Sequence, residues 1–230
     1  MERTDILPIG SAVGDRTGGN AIKAGPYGLT KGDIRRIFQT RVIGPDRGGG
    51  LGRGDHELNP GMLPLIELRA ASVLVGLVDR PGGFSILLTQ RTAHLSRHAG
   101  QIAFPGGRVE DGDADEVATA LRETEEEIGL GRAHIEPIGR LDRYITRTGF
   151  TVTPVVAMVE PPFTLTVDPN EVDEAFEVPL DFILDPANRQ KDSYDFQGVM
   201  RYFYVFRYEQ RNIWGATAGM LVNLAEIFAA

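Results

Sequence analysis

FPGGRVEDGDADEVATALRETEEEIGL, residues 104–130, is the stretch on which the reading of this chain turns. Between Glu110 and Glu127 it holds nine acids and a single basic residue, Arg122. At 3.6 residues per turn, Glu116, Glu123 and Glu127 fall within roughly 40° of one another, while Ala114, Val117, Leu121 and Ile128 gather on a different face. A helix from Asp113 to Gly129 is therefore expected, closed by its glycine, with one side packed and the other presenting carboxylates. The plain reading of an acidic run is a solvated helix face. Acids four apart, such as Glu123 and Glu127, nevertheless repel when no lysine accompanies them. A hard divalent cation supplies the missing compensation, because Mg²⁺ and Mn²⁺ prefer oxygen ligands. Arg122 and Glu126 are also four apart, a spacing that pairs them and fixes Glu126. Just upstream, Phe104-Pro105-Gly106-Gly107 permits backbone conformations closed to other residues and lets a phosphate or metal approach the main chain. A simple turn is the alternative for those glycines.

The surrounding 230 residues are of ordinary globular composition, with 42% hydrophobic and 24% charged residues. The formal net charge of -8 disfavours nucleic acid and anionic membrane surfaces as partners. The absence of cysteine excludes disulfides, thiol nucleophiles and Cys-ligated zinc or iron–sulfur clusters, and fits a reducing, cytoplasmic setting. The opening Met1-Glu2-Arg3-Thr4-Asp5 carries early acids and is not expected to act as a secretory signal. Glu67 and Arg69 interrupt the best candidate for a membrane span.

Charge is unevenly spread along the chain. The first 54 residues hold 13 of the 28 glycines and are net basic, whereas the rest is strongly acidic. A Gly-rich, loosely ordered arm over 1–54, including Gly48-Gly49-Gly50, is expected ahead of one compact domain over 55–230. One short helix, Thr30 to Thr40, is expected within the arm, with Ile34, Ile37 and Phe38 docking on the body. Strands are expected over Ala71–Val78 and Phe84–Thr89, joined by a turn. Val152–Val159 contains Pro154, which points to a sheet edge or to a start after the proline. Val199–Phe206 reads as a strand, and Ala216–Phe228 as a final amphipathic helix. Trp214 and the aromatics Tyr202, Phe203, Tyr204 and Phe206 are expected in the core. The fold class is α/β, with a mixed sheet.

Arg122-Glu123-Thr124-Glu125-Glu126-Glu127-Ile128-Gly129-Leu130 resembles the Arg-Glu-x-x-Glu-Glu-x-Gly core of the Nudix box, the signature of Nudix hydrolases. One feature departs from the general box: Asp113 stands six residues after Gly107 where a glutamate is usual, and Arg122 follows one residue later than in the general spacing. That shift is similar to the boxes of coenzyme A pyrophosphatases. So is the upstream run Leu87-Leu88-Thr89-Gln90-Arg91-Thr92, Gly100, Phe104-Pro105-Gly106-Gly107. Ser96 stands where that subgroup carries a second arginine, with Arg97 next to it. Asn170-Glu171-Val172, Phe176-Glu177-Val178-Pro179-Leu180 and Ile213-Trp214-Gly215-Ala216-Thr217-Ala218 also look like runs of the subgroup.

The resemblance implies a Nudix-type α/β/α sandwich and a Mg²⁺- or Mn²⁺-dependent attack of water on a pyrophosphate. Glu123, Glu127, Glu126 and the carbonyl of Gly107 would hold the metal, and Arg122 would orient a glutamate. The general base is a glutamate of the box or one on a distant loop, Glu171 or Glu174. Arg91 and Arg97 are candidates for holding phosphates beside Gly106 and Gly107, with a surface ion pair the alternative for Arg97. His94 and His98 lack a third partner at a zinc-site interval and are given no metal role. A CoA-like nucleotide is the implied substrate, with ADP-ribose, NADH or a dinucleoside polyphosphate as alternatives. A non-catalytic nucleotide-binding domain is a further alternative, and homodimerisation is implied by the family.

Overall fold

The computed structural model describes residues 27–40, 52–61, 67–93 and 99–230. In chain order the elements are α1 (Lys31–Thr40), β1 (Arg53–Gly54), β2 (Arg69–Arg80), β3 (Gly83–Arg91), β4 (Ile102–Ala103), β5 (Gly106–Arg108) and α2 (Glu116–Ile128). There follow β6 (Ile135–Arg140), β7 (Tyr144–Ile145), β8 (Phe150–Val159), β9 (Val172–Pro179), α3 (Leu180–Leu184), β10 (Gln190–Phe196), β11 (Val199–Tyr208), β12 (Arg211–Trp214) and α4 (Ala216–Phe228). Nine strands form one mixed sheet in the order β1-β7-β8-β2-β3-β4, with β5 beside β2, β6 beside β8 and β9 beside β3. The remaining three form a separate antiparallel sheet, β10-β11-β12.

The apolar runs of β2 and β8 pair in parallel and are buried on both faces, the usual origin of a continuous hydrophobic strand. Alternation divides them. Val75 and Leu77 of β2, with Val156 and Met158 of β8, join α1, α3 and α4 in one core. Leu74, Val78, Val155 and Val159 face the other way, toward Ala120 and Ile128 of α2. The result is an α/β/α sandwich, the layered architecture expected from the sequence.

Three expectations need correction. Pro154 lies inside β8, which spans Phe150–Val159 between β2 and the β6/β7 side. Ladder pairing on that side breaks between Val152, opposite Tyr144 of β7, and Val155, opposite Arg140 of β6, so the missing N–H of proline falls in the gap. Leu141 N donates to Pro154 O there at 2.9 Å. The acidic helix starts at Glu116 rather than Asp113, because Asp115 Oδ1 accepts from Ala118 N at 2.8 Å and caps it. Finally, Trp214 and Tyr202 are exposed, and only Phe206 of the aromatic set is fully buried. The small sheet packs its Phe206 and Ile213 side on α4 and leaves Trp214, Phe203 and Tyr194 on the other.

The short helix of the expected arm sits on the body. Thr30 and Asp33 form a reciprocal cap for α1, Thr30 Oγ1 accepting from Asp33 N and Asp33 Oδ2 from Thr30 N. Ile34 and Phe38 enter the core, Phe38 meeting Phe228 edge-on at 6.1 Å. Lys31 reaches Asp79 at 2.9 Å and Glu160 at 2.7 Å. The glycine run Gly48–Gly50 lies outside the described residues, whereas Arg53 and Gly54 pair in parallel with β7. Among the described residues no helix is long and apolar enough to cross a membrane. Because Phe38 is buried and the exposed ion pairs of α1 contribute little, Phe38→Ala should lower unfolding free energy by about 3 kcal/mol, measured by urea titration.

Candidate active site

A loop, a helix and one strand end converge on one guanidinium. Arg122 donates through Nε to Asp113 Oδ1 at 2.9 Å and through Nη2 to Asp113 Oδ2 at 2.9 Å, a bidentate pair. Its Nη1 donates to Glu123 Oε1 at 2.9 Å and to Glu126 Oε2 at 3.1 Å, and Nη2 also reaches the carbonyl of Arg108 in β5 at 3.1 Å. Asp113 further accepts from Glu110 N and Thr119 Oγ1. These donors, Arg122 first, hold its carboxyl well below the usual range and raise the Arg122 guanidinium correspondingly. Asp113 was placed by the box spacing but given no role. Its distance from Arg122 in sequence hid a contact that only the folded loop makes.

Glu127 is the most deeply placed acid among the described residues, with 4% of its surface exposed. Its Oε2 accepts from Gly106 N at 3.1 Å, and its Oε1 lies 3.4 Å from Arg91 Nη1 at the end of β3. Burial pushes its carboxyl up to about 7 against those two favourable contacts, and the charges of Glu123 and Glu171 push the same way. Glu123 is raised as well, chiefly by burial, with Arg122 opposing. Arg91 Nη2 also stands 3.6 Å from Glu171 Oε2, so it bridges the helix and the loop before β9. Glu174, the other candidate, lies within β9 rather than on a loop and is bound to Arg211 at 2.8 Å.

The two glycines are required by close approach. At Gly106, φ is 149° and a Cβ would stand 2.4 Å from Ser72 O. At Gly107 a Cβ would stand 2.4 Å from the Glu123 carboxyl carbon, so any side chain there would displace that acid.

Glu123, Glu126, Glu127, Arg122, Gly106, Gly107, Arg91 and Glu171 thus lie together. Arg97, with His94, Ser96 and His98, falls outside the described residues. Glu116 leaves the expected carboxylate face: it pairs with Arg140 at 3.3 Å and Arg143 at 3.5 Å, compensation from β6 and the loop after it that helical spacing cannot reveal. Among the described residues no three acids converge closely enough to clasp a cation as they stand. The donor set nonetheless suits a hard divalent ion. It is all oxygen, includes a nearly buried carboxylate short of positive charge, and leaves Glu123 Oε2 and Glu126 Oε1 without hydrogen-bond partners among the described residues. The bonds now made by Arg122 to Glu123 and Glu126 supply charge compensation that a cation would share.

The family model for the NUDIX domain matches residues 68–197. The uncharacterized Nudix hydrolase NudL of Escherichia coli is 41% identical over 157 residues, 68% of this chain and 81% of that protein. Its counterpart in Shigella boydii gives the same figures. Among solved structures, a Nudix hydrolase from M. smegmatis, RenU, superimposes with a TM-score of 0.48 at 20% identity, covering 71% of this chain and 88% of that one.

Two outcomes follow from this geometry. A carboxyl raised from 4.5 to about 7 binds its proton more tightly in the folded state, so its contribution to stability is present below 4.5 and lost as pH rises to about 7. Glu127→Gln should therefore raise the melting temperature of metal-free protein at pH 8 and leave it nearly unchanged at pH 4.5, read by differential scanning calorimetry. Asp113→Ala should free Arg122 and lower kcat at least tenfold with little change in KM. A rise in KM with kcat unchanged would instead mean that Asp113 acts on binding.

Proposed function

The chain belongs to the Nudix family, whose members hydrolyse pyrophosphate bonds of nucleotide derivatives and generally use divalent cations, and from that premise we propose that its substrate is coenzyme A or a CoA derivative. Cleavage would release phosphopantetheine and an adenosine bisphosphate. What supports this reading is a set of contacts that tie the separate CoA-like runs to one another. Thr92 N, following β3, donates to Glu171 O at 3.0 Å, and Thr92 Oγ1 approaches Asn170 O at 3.4 Å. Thr217 Oγ1, at the start of α4, donates to Ile102 O at 3.0 Å, two residues before Phe104-Pro105-Gly106-Gly107. Two of the runs thus meet beside Arg91 and Glu171, and the third is tied to β4, which precedes the glycine loop.

Glu123, Glu126, Glu127 and the carbonyl of Gly107 are the residues proposed to hold Mg²⁺ or Mn²⁺. Such an ion supplies charge neutralisation for the pyrophosphate and activates water. Arg122 fixes Glu123 and Glu126 through its anchored guanidinium. Arg91, already facing two carboxylates, is positioned to exchange one of them for a phosphate oxygen. The proton of the attacking water passes to a carboxylate, Glu126 or Glu171, each half or more exposed. A non-catalytic binding domain has no use for a carboxylate as strained by burial as Glu127.

The reading includes a homodimer, which sedimentation showing a 25.1 kDa particle would remove. In a panel of CoA, ADP-ribose, NADH and dinucleoside polyphosphates with Mg²⁺ or Mn²⁺, CoA should give the highest kcat/KM. A preference for a substrate without the pantetheine arm would replace CoA while keeping the reaction.

A further inference from the structure

Most described arginines stand within ion-pair distance of a carboxylate, but Arg69, Arg108, Arg147 and Arg201 do not. In a chain of net charge -8, four cations without an acid among the described residues need an explanation. They are also neighbours. Arg69 lies 4.3 Å from the centroid of the Phe150 ring and Arg108 lies 5.5 Å from it. Arg147, three residues before Phe150, lies 4.7 Å from the centroid of Phe196. Phe196 meets Tyr194 edge-on at 6.3 Å, and Tyr194 stands opposite Arg201, whose Nε is buried without a hydrogen-bond partner.

Stacking on a ring is worth about 0.5–1 kcal/mol for an exposed guanidinium, and two cations drawn to one ring repel each other. A bound anion would relieve that repulsion. Guanidinium groups with free donor edges match the oxygens of a phosphate, and the flanking rings suit a planar base.

The surface adjoins the carboxylate site through β5. Gly107 faces Glu123, so Arg108, the next residue, points to the opposite face of the sheet, where Phe150 lies. Among the described residues β5 pairs only with β2, which leaves its other edge open between the two faces. Arg122 holds the Arg108 carbonyl at 3.1 Å and fixes the spacing of the two sites.

We propose that Arg69 and Arg108, laid on Phe150 and flanked by Arg147, form a second anion subsite that takes a phosphate monoester on the nucleoside half of the substrate. This rests on the pyrophosphatase reading, with the ligand crossing the open edge of β5. It makes a nucleoside 3′,5′-bisphosphate end the preferred substrate class over a nucleoside 5′-phosphate end.

Calorimetric titration tests the subsite without turnover, using adenosine 3′,5′-bisphosphate and AMP as probes. The wild-type protein should bind the bisphosphate at least tenfold more tightly, and Arg69→Met/Arg108→Met should bring the ratio close to one. Equal affinities in the wild type overturn the subsite and need no variant; so does a preference that survives the double substitution. Hydrolysis of CoA and dephospho-CoA, measured alongside, separates the two readings. Turnover of both with equal KM removes the subsite and keeps the enzyme, whereas bisphosphate selectivity without turnover of either keeps the subsite and removes the proposed reaction. Binding to phosphatidylserine vesicles that the bisphosphate fails to displace would assign the arginines to a membrane surface and overturn the subsite.

Discussion

The bidentate contact between Arg122 and Asp113 holds the rest of the site in place. A guanidinium has five donors in a fixed plane, so once two are committed to Asp113 the direction of the others is set. Those others reach Glu123, Glu126 and the backbone of β5. One side chain thereby couples the loop before α2, the exposed face of α2 and the strand that carries Gly106 and Gly107. Lysine could satisfy one of these contacts, but its compact ammonium has no fixed fork with which to relate them.

Glu127 sits under a different constraint. It is nearly buried, and the N–H of Gly106 and the edge of Arg91 only partly offset the desolvation of its charge. The fold tolerates this because the glycine at 106 brings a backbone donor closer than any other residue would permit. The site therefore sets one stabilised acid, Asp113, against two that burial destabilises as anions, Glu123 and Glu127. A cation placed between Glu123 and Glu127 would relieve that cost.

Much of this was legible in the sequence. The layers followed from apolar runs of strand length, and the acidic helix from its period, because burial on both faces and helical amphipathicity leave direct patterns. What escaped was tertiary. The pairing of Glu116 with Arg140 and Arg143 joins residues more than twenty apart, so the acidic face looked less compensated than it is. Pro154 was read as an edge signal because local rules cannot anticipate a ladder that breaks opposite it. The aromatics of β11 and β12 were assigned to the core by residue type, although a three-stranded sheet with one packed face must leave alternate rings outside. Arg91 and Glu171 were each found by motif, but their contact depends on the pairing of β3 with β9.

The departure from the general box now has a physical account. Aspartate is one methylene shorter than glutamate, and the chain between Asp113 and Arg122 is one residue longer than the general spacing. The added length lets Asp115 cap α2 while Asp113 folds back outside the helix, where its short side chain also closes the loop on Glu110 N and Thr119 Oγ1. A glutamate in the folded-back position would carry its carboxylate past the plane in which Nε and Nη2 of Arg122 point together. The two changes are thus a single adjustment. In this chain the contact of carboxylate with guanidinium is made, bidentate, across the longer spacing.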